Sequence, residues 1–314
     1  MDYKTVFETM VQETQKYLEK NNLYAMILGI SGGLDSTVTA AICHEVEKRN
    51  PDIKFIGISL PCYSNAEDEC KSAESCMKAF CKDGNLYTEN IQKEYQFMRT
   101  TCSLRHSATT IGLGNIKARL RMMMLYNEAN YFSGLVMDTD NLTEHYLGFF
   151  TIHGDVGDFN PIGGLWKHEV YELANWLRDY YDNFTKCVSP DSFDSKDEIE
   201  TRNAYAKKVV ALSYALNIKP TDGNGVNPLG DMGQIAPAFA NDTPFESYKK
   251  VDDILSTYIE YVGHPSEEYQ FEMNRLYEQY GTETVNEIVR RNKDTEYKRK
   301  RLPVVIDRKL YEKL

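Results

Sequence analysis

The chain has 314 residues, 42% of them hydrophobic, and a formal net charge of −11. Such a length buries a sizeable core, as one large α/β domain or as a domain with an appendage. The acidic balance argues against a protein that lives on RNA or DNA, and no apolar run reaches the roughly 18 residues that a membrane helix needs.

The opening Met1-Asp2-Tyr3-Lys4 is charged and lacks the apolar centre of a signal peptide. The seven cysteines are an odd count for a disulfide scaffold. Cys62, Cys70, Cys76 and Cys81 cluster without any Cys-x-x-Cys pair. They read as reduced structural thiols rather than zinc ligands, and a cytoplasmic location is expected.

Residues 3 to 20 are predicted to form an amphipathic helix, with Val6, Met10, Tyr17 and Leu18 available for one face. Ala25 to Ile30 is an unbroken apolar run, which reads as a strand buried on both faces. Ser31-Gly32-Gly33-Leu34-Asp35-Ser36 then turns the chain, and a helix follows from Thr37 with Val38, Ala41, Ile42 and Val46 along one side. A further strand is expected over Lys54 to Leu60. Ser64 and Glu67 suggest a capping box for a helix through Phe80. A third strand is expected over Asn85 to Ile91, followed by a helix. Ser107 to Gly114 reads as a loop. A strong helix spans Asn115 to Tyr131, with Ile116, Leu120, Met123 and Met124 facing inward. A fourth strand spans Ser133 to Met137, leaving Asp138-Thr139-Asp140-Asn141 as its exit loop.

Residues 151 to 165 are rich in Gly, Asp and Asn and read as irregular. Helices are expected over Trp166 to Tyr180, over Lys196 to Leu216, and in the C-terminal part as far as Asn292, with a basic tail beyond. Alternating strands and helices predict a doubly wound parallel sheet with helices on both faces. Ligands of such sheets bind at the strands' carboxyl ends.

The glycine turn is such an end. Its two glycines let backbone approach an anion, and the helix start adds partial positive charge. Ser31 and Ser36 offer hydroxyls. Asp35 would repel a bare phosphate, which implies a divalent cation between them. Glu144 lies past another strand end, so Asp35 and Glu144 together suit Mg²⁺ bound to phosphate; Glu144 alone could equally be a solvent-facing helix residue. Asp155 and Asp158 sit in a glycine loop, where aspartates are commonly turn formers but can also position substrate or carry protons. Lys167 is placed at a helix N-terminus, which is electrostatically unfavourable and therefore suggests a task. Asn115 and Arg119 are four apart on one helix face, and an arginine there suits a carboxylate or phosphate, or a simple surface ion pair.

The loop is not a Walker A sequence. It resembles the Ser-Gly-Gly-x-Asp-Ser motif of the ATP pyrophosphatases, of the adenine nucleotide alpha hydrolase-like fold. Ser31–Ser36, Asn115–Met122, Thr139–Glu144, Gly148–Asp158, Lys167 and Glu296-Tyr297-Lys298-Arg299 occur in the order seen in NAD synthetases. That resemblance implies one synthetase domain over 1–314, with 182–243 as a family-variable insertion. It implies ATP as co-substrate on Gly29, Ile30, Ser31, Gly32, Gly33, Leu34, Asp35, Ser36, Thr139, Lys167 and Thr221, and Mg²⁺ on Asp35 and Glu144. It implies deamido-NAD near Asn115, Arg119, Asp155, Asp158, Tyr297 and Lys298, with Asp155 and Lys167 as catalytic residues. A homodimer with substrate near its interface is expected.

Departures from the family pattern are a shortened loop at Val156-Gly157, Ile152 in place of a lysine, Tyr297 in place of a histidine, and extra length over 182–243. Glutamine use resembles the work of a separate nitrilase-like N-terminal domain. With the glycine loop starting at Ser31, free ammonia is the expected nitrogen donor. The competing readings are an ATP pyrophosphatase acting on another carboxylate or a nucleobase, and a non-catalytic nucleotide-binding module.

Overall fold

A computed structural model of the chain describes residues 1–62, 65–104, 109–186, 196–218, 237–239, 241–263 and 267–300. Its centre is a parallel sheet of β1 (Ala25–Gly29), β2 (Lys54–Ser59), β3 (Leu86–Thr88) and β4 (Leu135–Val136), in the order β3-β2-β1-β4. β1 is central and its apolar run has no solvent face. Ala25 and Ile27 point into one core with Ile56 and Ile58, while Met26 and Leu28 point into the other with Val38 and Ile42. This is the period-2 alternation of a strand covered on both sides.

One face of the sheet carries α1 (Tyr3–Lys20), α2 (Leu34–Arg49), α3 (Glu67–Phe80) and α7 (Lys167–Lys186); the other carries α4 (Gln92–Cys102) and α5 (Thr110–Tyr131). The chain builds outward through β1, β2 and β3, then returns to place β4 on the other side of β1. Strand order therefore reverses between β1 and β4, and a crevice opens there beyond the strands' carboxyl ends. α6 (Leu142–Leu147) follows β4 directly. α8 (Lys196–Asn217) packs on α7 and α3, and α9 (Pro244–Tyr261), α10 (Glu267–Tyr280), α11 (Thr282–Asp294) and α12 (Glu296–Arg299) complete the described chain.

Several boundaries differ from expectation. α1 buries Phe7, Val11, Thr14 and Leu18, while Tyr17 is exposed; the i, i+4, i+7, i+11 stripe lies one step round from the expected face. α2 starts at Leu34, so Asp35 and Ser36 lie in its first turn rather than in a preceding loop. α3 is closed by Glu69, whose carboxylate accepts from the Ala66 N–H at 3.1 Å, rather than by Glu67; Ser64 lies outside the described residues. α5 begins at Thr110, because the Thr109 hydroxyl caps the Gly112 N–H at 3.0 Å and carries Gly112 and Gly114 into the helix. Met123 faces outward, and the adjacent Met122 and Leu125 fill the core instead. β3 and β4 are shorter than expected, and α7 runs on to Lys186.

Candidate active site at the sheet switch point

The glycine turn is held from below. Gly32 has φ +87°, and the Ser72 hydroxyl donates to its carbonyl at 2.7 Å. A Cβ on Gly32 would come within 2.3 Å of the Glu69 carbonyl oxygen and 2.8 Å of the Ala73 nitrogen, so only glycine fits against α3. Ser31 Oγ lies 3.1 Å from Ser36 Oγ and accepts from the Gly33 N–H at 3.2 Å. Gly33 is the N-cap of α2 and offers no side chain, so the helix's first N–H groups meet the crevice uncapped by any side chain. This is an anion-binding end.

Asn141 organises the facing wall. It is fully buried and caps α6, its amide oxygen accepting from the Glu144 N–H at 3.1 Å. Glu144 accepts in return from the Asn141 N–H at 3.0 Å. The remaining Asn141 amide N–H donates to Asp35 at 3.0 Å and so couples the two loops. The Asn-x-x-Glu spacing is a capping-box pattern visible in the sequence.

Lys167 reaches in from the start of α7. Its ammonium pairs directly with Asp35, lies 3.9 Å from Glu144, and sits 5.5 Å from the ring centroid of Tyr248 on α9. Burial pulls the Lys167 pKa down, but the Asp35 and Glu144 charges outweigh it and hold the group well above its ordinary range. Glu144 is pushed up to about 7, by burial foremost and by the nearby Asp35 charge, against the opposing pull of Lys167. Burial also raises Asp140 well above the carboxylate range, helped by the charges of Asp138, Glu144, Asp155 and Asp35. The crevice is therefore short of positive charge, and a hard cation would relieve it. Among the described residues no group of three or more His, Cys, Asp or Glu forms a metal cage. The donors that do converge suit an ion completed by phosphate oxygens.

Asp35, Asp140, Glu144, Lys167 and Tyr248 line a cavity of about 390 Å³, together with Gly29, Ile30, Leu34, Thr139, Arg121 and Asp155. Its size is that of a small-molecule site. Arg121 braces the end of β2. It donates to the Leu60 carbonyl at 3.0 Å and to Asn65 at 3.2 Å. Asn115 and Arg119 share a face of α5 as expected, and both grip the loop after α6. Asn115 accepts from the Thr151 hydroxyl at 2.8 Å, and Arg119 donates to the Ile152 carbonyl at 3.2 and 3.3 Å. The Thr151 N–H in turn donates to Asp155 at 2.6 Å, which turns Asp155 toward the cavity.

Lys298 pins the same loop from α12, donating to the Gly148 and Phe150 carbonyls at 2.7 Å each. Asp158 is engaged outside the cavity lining, accepting from the Val136 N–H at 2.9 Å and the Tyr126 hydroxyl at 3.0 Å. Tyr297 is 58% exposed and stands away from the cavity lining. Thr221 lies outside the described residues.

A parallel sheet with a glycine turn and Asp35 at its switch point, faced by Glu144 and Lys167, defines an α/β protein of the adenine nucleotide alpha hydrolase-like fold. The model of the NAD synthase family matches residues 6–180. An NH3-dependent NAD+ synthetase of Campylobacter jejuni (subsp. jejuni serotype O:23/36, strain 81-176) is 31% identical over 209 residues, covering 66% of this chain and 81% of that protein. One from Carboxydothermus hydrogenoformans is 36% identical over 173 residues, covering 54% and 68%. The chain belongs to the NAD synthase family.

Two solved structures extend the likeness of fold to nearly the whole chain. An NMN synthetase from Francisella tularensis has a TM-score of 0.69 at 21% identity, covering 98% of this chain and 99% of that one. The NH3-dependent NAD synthetase from C. jejuni subsp. jejuni NCTC 11168, in complex with the nitrate ion, has a TM-score of 0.65 at 21% identity, covering 98% and 100%.

Proposed function

We propose that the protein forms NAD from deamido-NAD, ammonia and ATP, releasing AMP and pyrophosphate. The observation that carries this reading is the uncapped start of α2, which bears Asp35, facing Glu144 and Lys167 across one cavity. The β and γ phosphates lie on the glycine turn, with Gly29 to Ser36, Thr139, Lys167 and Thr221 as the ATP contacts. Asp35 and Glu144 would hold Mg²⁺, which neutralises charge on the triphosphate when bound.

The nicotinate carboxylate attacks the α phosphorus, and the bond to the β-phosphate oxygen breaks. An acyl adenylate and pyrophosphate result. Lys167 offsets the charge that grows on the leaving phosphates. Ammonia then adds to the acyl carbon, its proton passes to Asp155, and AMP leaves. Asn115, Arg119 and Lys298 support this by holding the 148–155 loop in place. Asp158, beside Tyr126 on α5, and Tyr297 are the deamido-NAD contacts proposed outside the cavity lining.

That face also supports a homodimer. Ile111, Met123, Tyr126 and Tyr131 on α5 are exposed, as is Phe97 on α4. Six described cysteines are free thiols, which suits a reducing cytoplasm. Among the described residues no helix is long and apolar enough to cross a membrane.

The test is a product assay. The protein with ATP, Mg²⁺, deamido-NAD and ammonium should yield NAD, AMP and pyrophosphate in equal amounts, with turnover rising as pH rises and more free NH₃ is present. Formation of ADP, or efficient turnover with glutamine alone, would overturn the reading.

A further inference from the structure

Lys167 stands at the first position of α7, where helix geometry leaves backbone N–H groups without partners and where a cation is disfavoured. Partners come from two other helices. The Lys167 N–H donates to the Thr143 hydroxyl oxygen at 2.8 Å. The His168 N–H donates to Asp252 at 3.0 Å, and the imidazole Nδ1 of His168 lies 2.8 Å from the same oxygen. The Thr143 hydroxyl itself donates to the other oxygen of Asp252.

Asp252 is only 1% exposed, so its carboxylate requires all of these bonds. It ties the residue before Glu144 to the residue after Lys167. It lies on α9, beyond the 6–180 segment that the family model matches. Tyr248, one turn earlier on the same face of α9, places its ring 5.5 Å from the Lys167 ammonium. α9 therefore meets Lys167 at both ends: at its backbone through Asp252 and Thr143, and at its charge through Tyr248.

We propose that Asp252 is a positioning residue for ATP binding, acting on the phosphates through Lys167. The inference rests on the reading that Lys167 contacts the nucleotide. Asp252 touches no substrate. It fixes where the Lys167 Cα sits, and with it how far the ammonium reaches between Asp35 and the phosphates.

The experiment is calorimetric titration of the full chain with Mg²⁺ and an ATP analogue carrying a methylene between the α and β phosphates, so that cleavage cannot occur. Asp252→Asn keeps the shape and removes the charge. It should weaken binding about 5–10-fold, the loss of one charge-assisted bond on a buried group. Lys167→Met should weaken binding at least as much, and the double variant should bind no more weakly than Lys167→Met alone. An equal further loss on the Lys167→Met background would overturn the proposal, since Asp252 would then act on the fold at large. Weakening by Lys167→Met with none from Asp252→Asn would overturn the proposal alone. Unchanged affinity in Lys167→Met would remove the nucleotide role of Lys167 and the proposal with it. If Asp252→Asn does not fold, Thr143→Val breaks the same relay while leaving the Asp252 charge in place and should give the same loss, whereas Thr143→Ser should bind like the parent.

Discussion

Glu144 is costly to the protein that carries it, and Glu144→Gln should expose that cost. In the folded chain its pKa stands at about 7 against an ordinary 4.5, because burial and Asp35 disfavour the ionised form more than Lys167 favours it. Below an ordinary carboxylate pKa both folded and unfolded chains hold the proton, and nothing is lost. Between the two values the unfolded chain releases the proton while the folded chain keeps it, so stability falls as pH rises. Above about 7 both are ionised and the cost is complete.

A shift of that size corresponds to at most about 3–4 kcal/mol. The side chain is 24% exposed and keeps a partner in Lys167, so about 1–2 kcal/mol is expected. Glutamine keeps the acceptor for the Asn141 N–H and removes the charge. Urea unfolding of nucleotide-free, Mg²⁺-free protein should show Glu144→Gln equal to the parent near pH 4.5 and more stable by that amount at pH 8. The same variant should lose Mg²⁺-dependent turnover, a trade of activity for stability. A variant less stable than the parent at pH 8, or a stability difference independent of pH, would refute the reasoning.

Gly32→Ala should destabilise by about 2–5 kcal/mol, combining a left-handed backbone with overpacking against the α3 backbone; chemical denaturation measures it, and a change under 1 kcal/mol would contradict the close approach. Lys298→Met removes both bonds to the 148–150 carbonyls, and should raise KM for the dinucleotide carboxylate about tenfold or more while changing KM for ATP little; steady-state kinetics with each substrate varied checks it. Met123→Asp places a charge on the exposed face of α5 and should halve the mass seen by light scattering, and a wild-type mass near one chain would already refute the dimer.

The centre of the fold was legible because its signals are local. An unbroken apolar run, a glycine pair and a following helical stripe leave one reading for Ala25 to Val46, and the parallel sheet follows from the alternation of elements. The start of α5 was not legible, since glycines at 112 and 114 read as breakers until the Thr109 cap outweighs them. Nor was the outward turn of Met123, because consecutive methionines carry no period of their own. Asn115 and Arg119 were rightly placed on one face, but periodicity says nothing of the partners, which are the Thr151 hydroxyl and the Ile152 carbonyl of a loop more than thirty positions away.

By itself the sequence determined the family, the strand–glycine turn–helix unit and the identity of Asp35, Glu144, Asp155 and Lys167 as candidates, all carried by short-range pattern and residue type. Only the tertiary structure decided that Asn141 couples Asp35 to Glu144, that Lys167 lies between them, and that α9 meets it, Tyr248 at its ammonium and Asp252 through Thr143 and the His168 N–H. Those contacts join segments separated by up to 132 positions, and the charge balance of the site exists only once folding has removed water from between them.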